Sequence, residues 1–237
     1  NAVVSGVYGA TVGGGGTTGG QEHKITELYG TIGGGIRNQA GDDAGNVSDK
    51  VAATVAGGQG NRAMGSHAAV GGGNANTAIG GYALFSNDTG SFNTASGDLA
   101  LASNTTGDSN TASGDGALAE NTTGYNNTAS GDFALFANTT GDSNTASGSS
   151  ALLYNITGNF NTASGANALY YNSTGFRNTA DGAGALYFNT TGASNVGIGF
   201  NAGRALTTGS GNVCVGTNVM GIAGESNTTR IKNVYSS

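Results

Sequence analysis

Apolar residues along this chain fall in a short, fixed rhythm. From Asn76 onward an isolated Ala is followed five residues later by an Ala-Leu pair, and the frame N-T-A-x-G-x-x-A-L-x-x-N-T-T-G-x-x returns every 17 residues. The copies begin at Asn76, Asn93, Asn110, Asn127, Asn144, Asn161 and Asn178, then continue in altered form at Asn195 and Asn212. Fifth place is always glycine, at Gly97, Gly114, Gly131, Gly148, Gly165 and Gly182 among others. A fixed period of this kind signals a solenoid in which each repeat is one coil.

Helical solenoids need roughly 33 residues or more per repeat to place two helices. Gly, Asn and Thr also recur too often here for a helix to persist between them. The pattern therefore predicts an all-β chain, a parallel β-solenoid (β-roll) with two short strands per coil. One strand is N-T-A-x-G, the second lies around A-L-x-x, and N-T-T-G makes a turn, with Asn tolerating left-handed geometry and Gly supplying positive φ. Adjacent Ala and Leu, as in Ala117-Leu118, are expected on opposite faces of the second strand, one filling the coil and one available to a neighbouring chain.

Coils stacked ~4.8 Å apart bring like residues together. Asn93, Asn110, Asn127, Asn144, Asn161 and Asn178 are then expected to form a structural ladder, as are Gly97, Gly114, Gly131, Gly148, Gly165 and Gly182. A second Asn row runs through Asn104, Asn121, Asn138, Asn155, Asn172 and Asn189. With one Leu and two Ala per coil, the interior is thin against the entropy of ordering each repeat. Self-association follows as an expectation, most simply a parallel homotrimer or filament.

Before Asn76 the pattern is looser. Ala10–Gly15, Gly30–Gly35, Ala53–Gly58 and Ala68–Gly73 are versions of another strand-and-turn unit, and insertions at Thr17–Leu28 and Gly41–Lys50 read as surface loops. The chain thus divides into irregular Gly-rich β-coils over 1–75, nine 17-residue repeats over 76–228, and a C-terminal cap or linker over 229–237.

Composition narrows the function classes. There are 46 Gly, no Pro, and a net charge of −6. No Lys or Arg occurs between Arg62 and Arg177, which leaves that stretch nothing to neutralise phosphates or an anionic membrane surface. No apolar run approaches the ~20 residues of a membrane span, so neither nucleic acid nor membrane insertion is expected. The chain starts at Asn1 rather than Met, as a processed product or part of a longer chain would.

The segments Asn76–Asn87 and Ala10–Gly15 resemble repeats of bacterial and phage surface fibres, in particular the head repeats of trimeric autotransporter adhesins. Those head repeats are usually shorter than 17 residues. The tail Gly224–Ser237 is similar to the segment that precedes an endosialidase-type intramolecular chaperone domain in tail-fibre-like proteins, a domain that trimerises the fibre and then cuts itself off. The resemblance implies a trimeric fibre that is extracellular, at a cell surface or on a virion.

Candidate chemistry is sparse. Gly197-Ile-Gly199 falls in register with the repeat rather than with a dinucleotide loop, and His23 and His67 have no partners at metal-ligand spacing. Cys214, the lone cysteine, lies in a Val-Cys-Val run and reads as a buried small hydrophobe. Asp98, Asp115 and Asp132 share one repeat position; a solvated edge and a Ca²⁺ ladder are both open readings. Tyr154, Tyr170, Tyr171, Tyr187 and Phe188 follow Leu in consecutive coils, as inter-coil or inter-chain stacking or as a sugar-binding strip. No enzyme activity and no cofactor is expected beyond that Ca²⁺ reading. The function expected is a structural fibre segment, adhesin or tail-fibre-like, that gives rigidity and attachment to a surface glycan or cell receptor. Two alternatives stand beside it: a module for a periodic ligand such as ice or glycan, using rows such as Thr94, Thr111 and Thr128, and the non-catalytic stalk of a phage glycan-degrading spike.

Overall fold

The computed structural model describes residues 2–14, 22–41 and 52–232, and every regular element among them is a β-strand. The chain forms two compact units, residues 1–123 and 124–237, each a parallel β-solenoid.

The first unit opens with coils that carry two strands each. β1 (Ala2–Val3), β3 (Lys24–Ile25), β5 (Gln39–Ala40) and β7 (Arg62–Ala63) pair in parallel in one sheet. β2 (Thr11–Val12), β4 (Thr31–Ile32), β6 (Thr54–Val55) and β8 (Ala69–Val70) pair in a second. Strand alternation decides what fills the coil. Ile25, Ala40 and Ala63 enter from the first sheet and Ile32, Val55 and Val70 from the second, all fully buried.

The Thr17–Leu28 segment, expected as a loop, is partly a coil. His23 and Ile25 point inward around an exposed Lys24, and this alternation makes Lys24–Ile25 the strand β3. Residues 15–21 lie outside the described residues, as do 42–50 of the other expected loop, Gly41–Lys50.

From β9 (Thr77–Ile79) the coil changes to one three-residue strand. In the first unit β9 is followed by β10 (Thr94–Ser96) and β11 (Thr111–Ser113), with Ala78, Ala95 and Ala112 in register. The second unit runs through β12 (Thr128–Ser130), β13 (Thr145–Ser147), β14 (Thr162–Ser164), β15 (Thr179–Asp181), β16 (Val196–Ile198), β17 (Val213–Val215) and β18 (Thr229–Ile231). Each pairs in parallel with the next, as in Thr145↔Thr162 and Ala146↔Ala163. Thr229–Ile231, expected in a cap or linker, is the last of these strands, and residues 233–237 lie outside the described residues.

The second strand expected around A-L-x-x does not form. In the coil of β10, three successive turns replace it: Ala100 N–H donates to Gly97 O at 3.4 Å, Ala102 to Leu99 O at 3.2 Å, and Asn104 to Leu101 O at 3.2 Å. Leu99 and Leu101 have φ of 56° and 52°, the positive value a type II turn requires at its third residue. The left-handed backbone at Leu101 cancels the strand alternation, so Ala100 and Leu101 both face inward and both are fully buried. The same holds for Ala168-Leu169 and Ala185-Leu186. Left-handed geometry costs a branched residue about 1–2 kcal/mol. Burying a Leu side chain offsets it by about 1.5–3 kcal/mol. The expectation that Ala and Leu face opposite ways is therefore corrected: neither side chain is available to a neighbouring chain.

Candidate functional site

Besides Leu and Ala, each of the seven coils from Asn76 to Asn189 buries two asparagines, and their amides link one coil to the next. In the second unit Asn161 Oδ1 accepts the backbone N–H and the Nδ2 of Asn178 at 3.0 and 3.1 Å, while Asn161 Nδ2 donates to Asn144 Oδ1 at 3.1 Å. The parallel row passes from Asn189 Nδ2 to Asn172 Oδ1 and from Asn172 Nδ2 to Asn155 Oδ1, both at 2.8 Å. The rows meet at a glycine carbonyl, since Gly175 O accepts Asn161 Nδ2 at 2.8 Å and Asn172 Nδ2 at 2.9 Å. A buried amide with all its hydrogen bonds made costs little; one left open is expensive. In the first unit the row runs Asn76, Asn93, Asn110, with Asn93 N–H on Asn76 Oδ1 and Asn110 N–H on Asn93 Oδ1, both at 2.9 Å.

The same row begins on a histidine. Asn61 N–H donates to Asn38 Oδ1 at 3.0 Å, and Asn38 N–H to His23 Nδ1 at 3.3 Å. With Nδ1 accepting, the proton sits on Nε2, which donates to Gly14 O at 3.1 Å. His23 is thus a rung. His67 instead stacks on Tyr82, with ring centroids 5.6 Å apart.

The glycine row is a backbone spine. Gly97 and Gly165 have φ of 146° and 125°, and a Cβ on Gly165 would meet the Gly182 carbonyl carbon at 2.7 Å. Gly197 stands in β16 where other coils have the inward Ala, and Cys214 fills that place in β17, fully buried. Burial pushes the Cys214 thiol above its ordinary pKa.

The acidic and hydroxyl rows lie outside. Asp98, Asp115 and Asp132 are exposed, and among the described residues no group of three or more His, Cys, Asp or Glu is placed to hold a metal ion. Thr94 and Thr111 in the first unit, and Thr128, Thr145, Thr162 and Thr179 in the second, point outward beside exposed serines such as Ser147 and Ser164.

The most developed surface chemistry is in the second unit. Tyr154, Tyr171 and Phe188 stack nearly parallel, with centroids 5.5 and 5.9 Å apart. Beside them Tyr170 stacks on Tyr187 at 5.0 Å, and the Arg204 guanidinium continues that column 4.6 Å from the Tyr187 centroid. Edge-to-face contacts tie the columns, Tyr170 to Tyr171 at 4.8 Å and Tyr187 to Phe188 at 4.7 Å. Burial, then the neighbouring phenols, holds the Tyr170 hydroxyl above the ordinary pKa. Tyr187 is raised for the same leading reason, against an opposing pull from Arg204.

A cleft of about 270 Å³ opens beside the second column, lined by Asn167, Gly184, Tyr187, Phe200, Asn201 and Arg204 together with two alanines. Arg204 Nη1 donates to Asn201 Oδ1 at 3.0 Å, and no carboxylate pairs with it among the described residues.

Comparison with known proteins returns no match to any family model, curated protein or solved structure.

Two groups were not singled out from sequence. One is a third row in the turn after N-T-T-G, where Ser91 N–H donates to Asp108 Oδ1 at 2.7 Å and Tyr125 N–H to Asp142 Oδ1 at 2.9 Å. Its residue type changes from coil to coil, so the repeat conceals it. The other is the Arg204 cleft, whose members sit at frame positions where the residue type changes from coil to coil. The sequence signal available for it was an Arg at the position that Tyr187 and Tyr170 hold one and two coils earlier.

Proposed function

We propose that this chain is a structural segment of an extracellular fibre, displayed on a cell or a virion, which self-associates as a homotrimer and has no catalytic role. The observation that carries the reading is the in-register stacking of near-identical coils, Thr145 on Thr162 on Thr179, with the buried amides joined between coils. Such a coil gains its stability along its own axis, as a rod requires. The fibre resemblance of Asn76–Asn87 and of the Gly224–Ser237 tail supports the trimer and the location. A narrow interior of Leu, Ala and Asn supports self-association, because little apolar surface is buried per ordered residue. An unheated sample in SDS should migrate as a trimer that collapses to monomer on boiling; a monomer band without heating counts against the fibre.

A second reading, a periodic-ligand module, is favoured by the outward Thr and Ser rows of β12 to β14. Measurable thermal hysteresis would support ice as that ligand, and freezing behaviour like that of a non-binding protein would remove it. Ca²⁺ bound by the exposed Asp98 and Asp115 of the first unit, or by Asp132 of the second, is a proposal of the same kind, tested by a melting shift on adding Ca²⁺ after chelator treatment.

A further inference from the structure

We propose that the cleft between Tyr187, Phe200 and Arg204 binds a carboxylate-bearing pyranose, an acidic sugar of the uronic-acid type. Its walls combine three chemistries in one small space. The exposed Phe200 offers aromatic surface for the C–H face of a sugar ring, while Tyr187, sandwiched between Tyr170 and Arg204, lines the cleft and fixes the guanidinium. Asn167 and Asn201 offer amide donors and acceptors for ring hydroxyls. Arg204 offers a guanidinium held by Tyr187 and by one bond to Asn201, with no acceptor for its Nε and Nη2 edge among the described residues. A planar guanidinium fork matches a carboxylate in two parallel hydrogen bonds. Inorganic phosphate would use the Arg and waste the aromatic wall, and a neutral sugar would leave the Arg unanswered. The volume of about 270 Å³ lies just under the roughly 300–1,000 Å³ of pockets for drug-sized ligands, which suits one sugar ring.

The repeat shows how the cleft arises. Asn167, Gly184 and Asn201 occupy one position in three consecutive coils, with φ of 58°, 66° and 56°. Only the middle one lacks a side chain. A Cβ at Gly184 would lie 2.5 Å from Asn201 Oδ1 and 3.5 Å from Arg204 Nη1, so the absence of a side chain at Gly184 is what opens the space.

That gives a test in the intact chain. Gly184→Asn installs the residue that both neighbouring coils carry here, in a backbone conformation that they already adopt, and fills the cleft. Arg204→Gln removes the charge. Saturation-transfer NMR with methyl β-D-glucuronide should show millimolar binding to the native chain, and methyl β-D-glucoside should bind at least about tenfold more weakly, as loss of a charge-assisted bond requires. Each variant should lose glucuronide binding by a similar factor while keeping its melting transition. No transfer to the glucuronide, equal binding of both sugars, or unchanged binding by Gly184→Asn would overturn the proposal. The site deepens the attachment role proposed above, yet all its residues belong to one chain, so sugar binding and oligomeric state fail or succeed separately.

Discussion

Asn161 Oδ1 accepts two hydrogen bonds from Asn178, one from its backbone N–H and one from its side-chain amide, at 3.0 and 3.1 Å. Both residues are fully buried. The pair shows how a coil with one Leu and two Ala holds together: the polar interior is shared between coils.

Truncating one rung should therefore act on its neighbour. Asn161→Ala strips acceptors from the Asn178 N–H and Nδ2 and leaves Gly175 O one donor short. A loss of about 3 kcal/mol or more is expected in urea unfolding. Thr162→Ala, next in sequence but exposed, should change stability by only about 0.5 kcal/mol. Equal effects at the two positions would mean that the ladder is not a source of stability.

The glycine spine predicts a second contrast. Gly165→Ala places a Cβ against Gly182 and Ala183 at a φ of 125°, and should cost about 2 kcal/mol or more, or abolish soluble expression. Gly57 has open space around it and no positive φ, so Gly57→Ala should stay within about 0.5 kcal/mol of the native chain. Melting curves of the two variants decide it.

At the C-terminal end Arg230 Nη2 donates to Glu225 Oε2 at 2.6 Å and Nε to Oε1 at 3.1 Å. The hydrogen bonds from Arg230 hold the Glu225 carboxyl below its ordinary pKa of 4.5. A lowered carboxyl pKa contributes stability above the unfolded value and loses it as pH falls through the folded one. Glu225→Gln should destabilise the chain at pH 7, and the gap from native should narrow as pH falls below 4.5 and close below the lowered folded value. A gap independent of pH would show that the charge is not what matters.

On the alkaline side the sign reverses. Tyr170 and Tyr187 are held above the ordinary 10.0, so their contribution is present below that pH and is lost as pH rises through the higher folded values. Absorbance titration of the phenolates should show a late-ionising subset that Tyr170→Phe and Tyr187→Phe remove. A single transition for all tyrosines, unchanged by these substitutions, would contradict the stacked columns.

The period, the strand T-A-x and the places of Asn and Gly were legible because they recur without insertion. What misled was the A-L pair. Strand alternation would place Leu101 opposite Ala100, but its φ of 52° turns it inward, and Leu carries no sequence mark of a left-handed residue as Gly or Asn does. His23 was read for its chemistry, whereas its position, fifteen residues before Asn38, makes it a ladder rung. The aromatic columns were legible as a cluster. Arg204 in the same column was not, because a single cation gives no pattern until the coils are stacked.

The central claim, that this coil works as a self-associating fibre, is tested most directly by absolute mass in solution. Multi-angle light scattering on the purified chain should give about three times the 23.0 kDa of one chain, constant across dilution. A stable species at 23.0 kDa would contradict the trimer and leave the buried ladders to support a solitary solenoid.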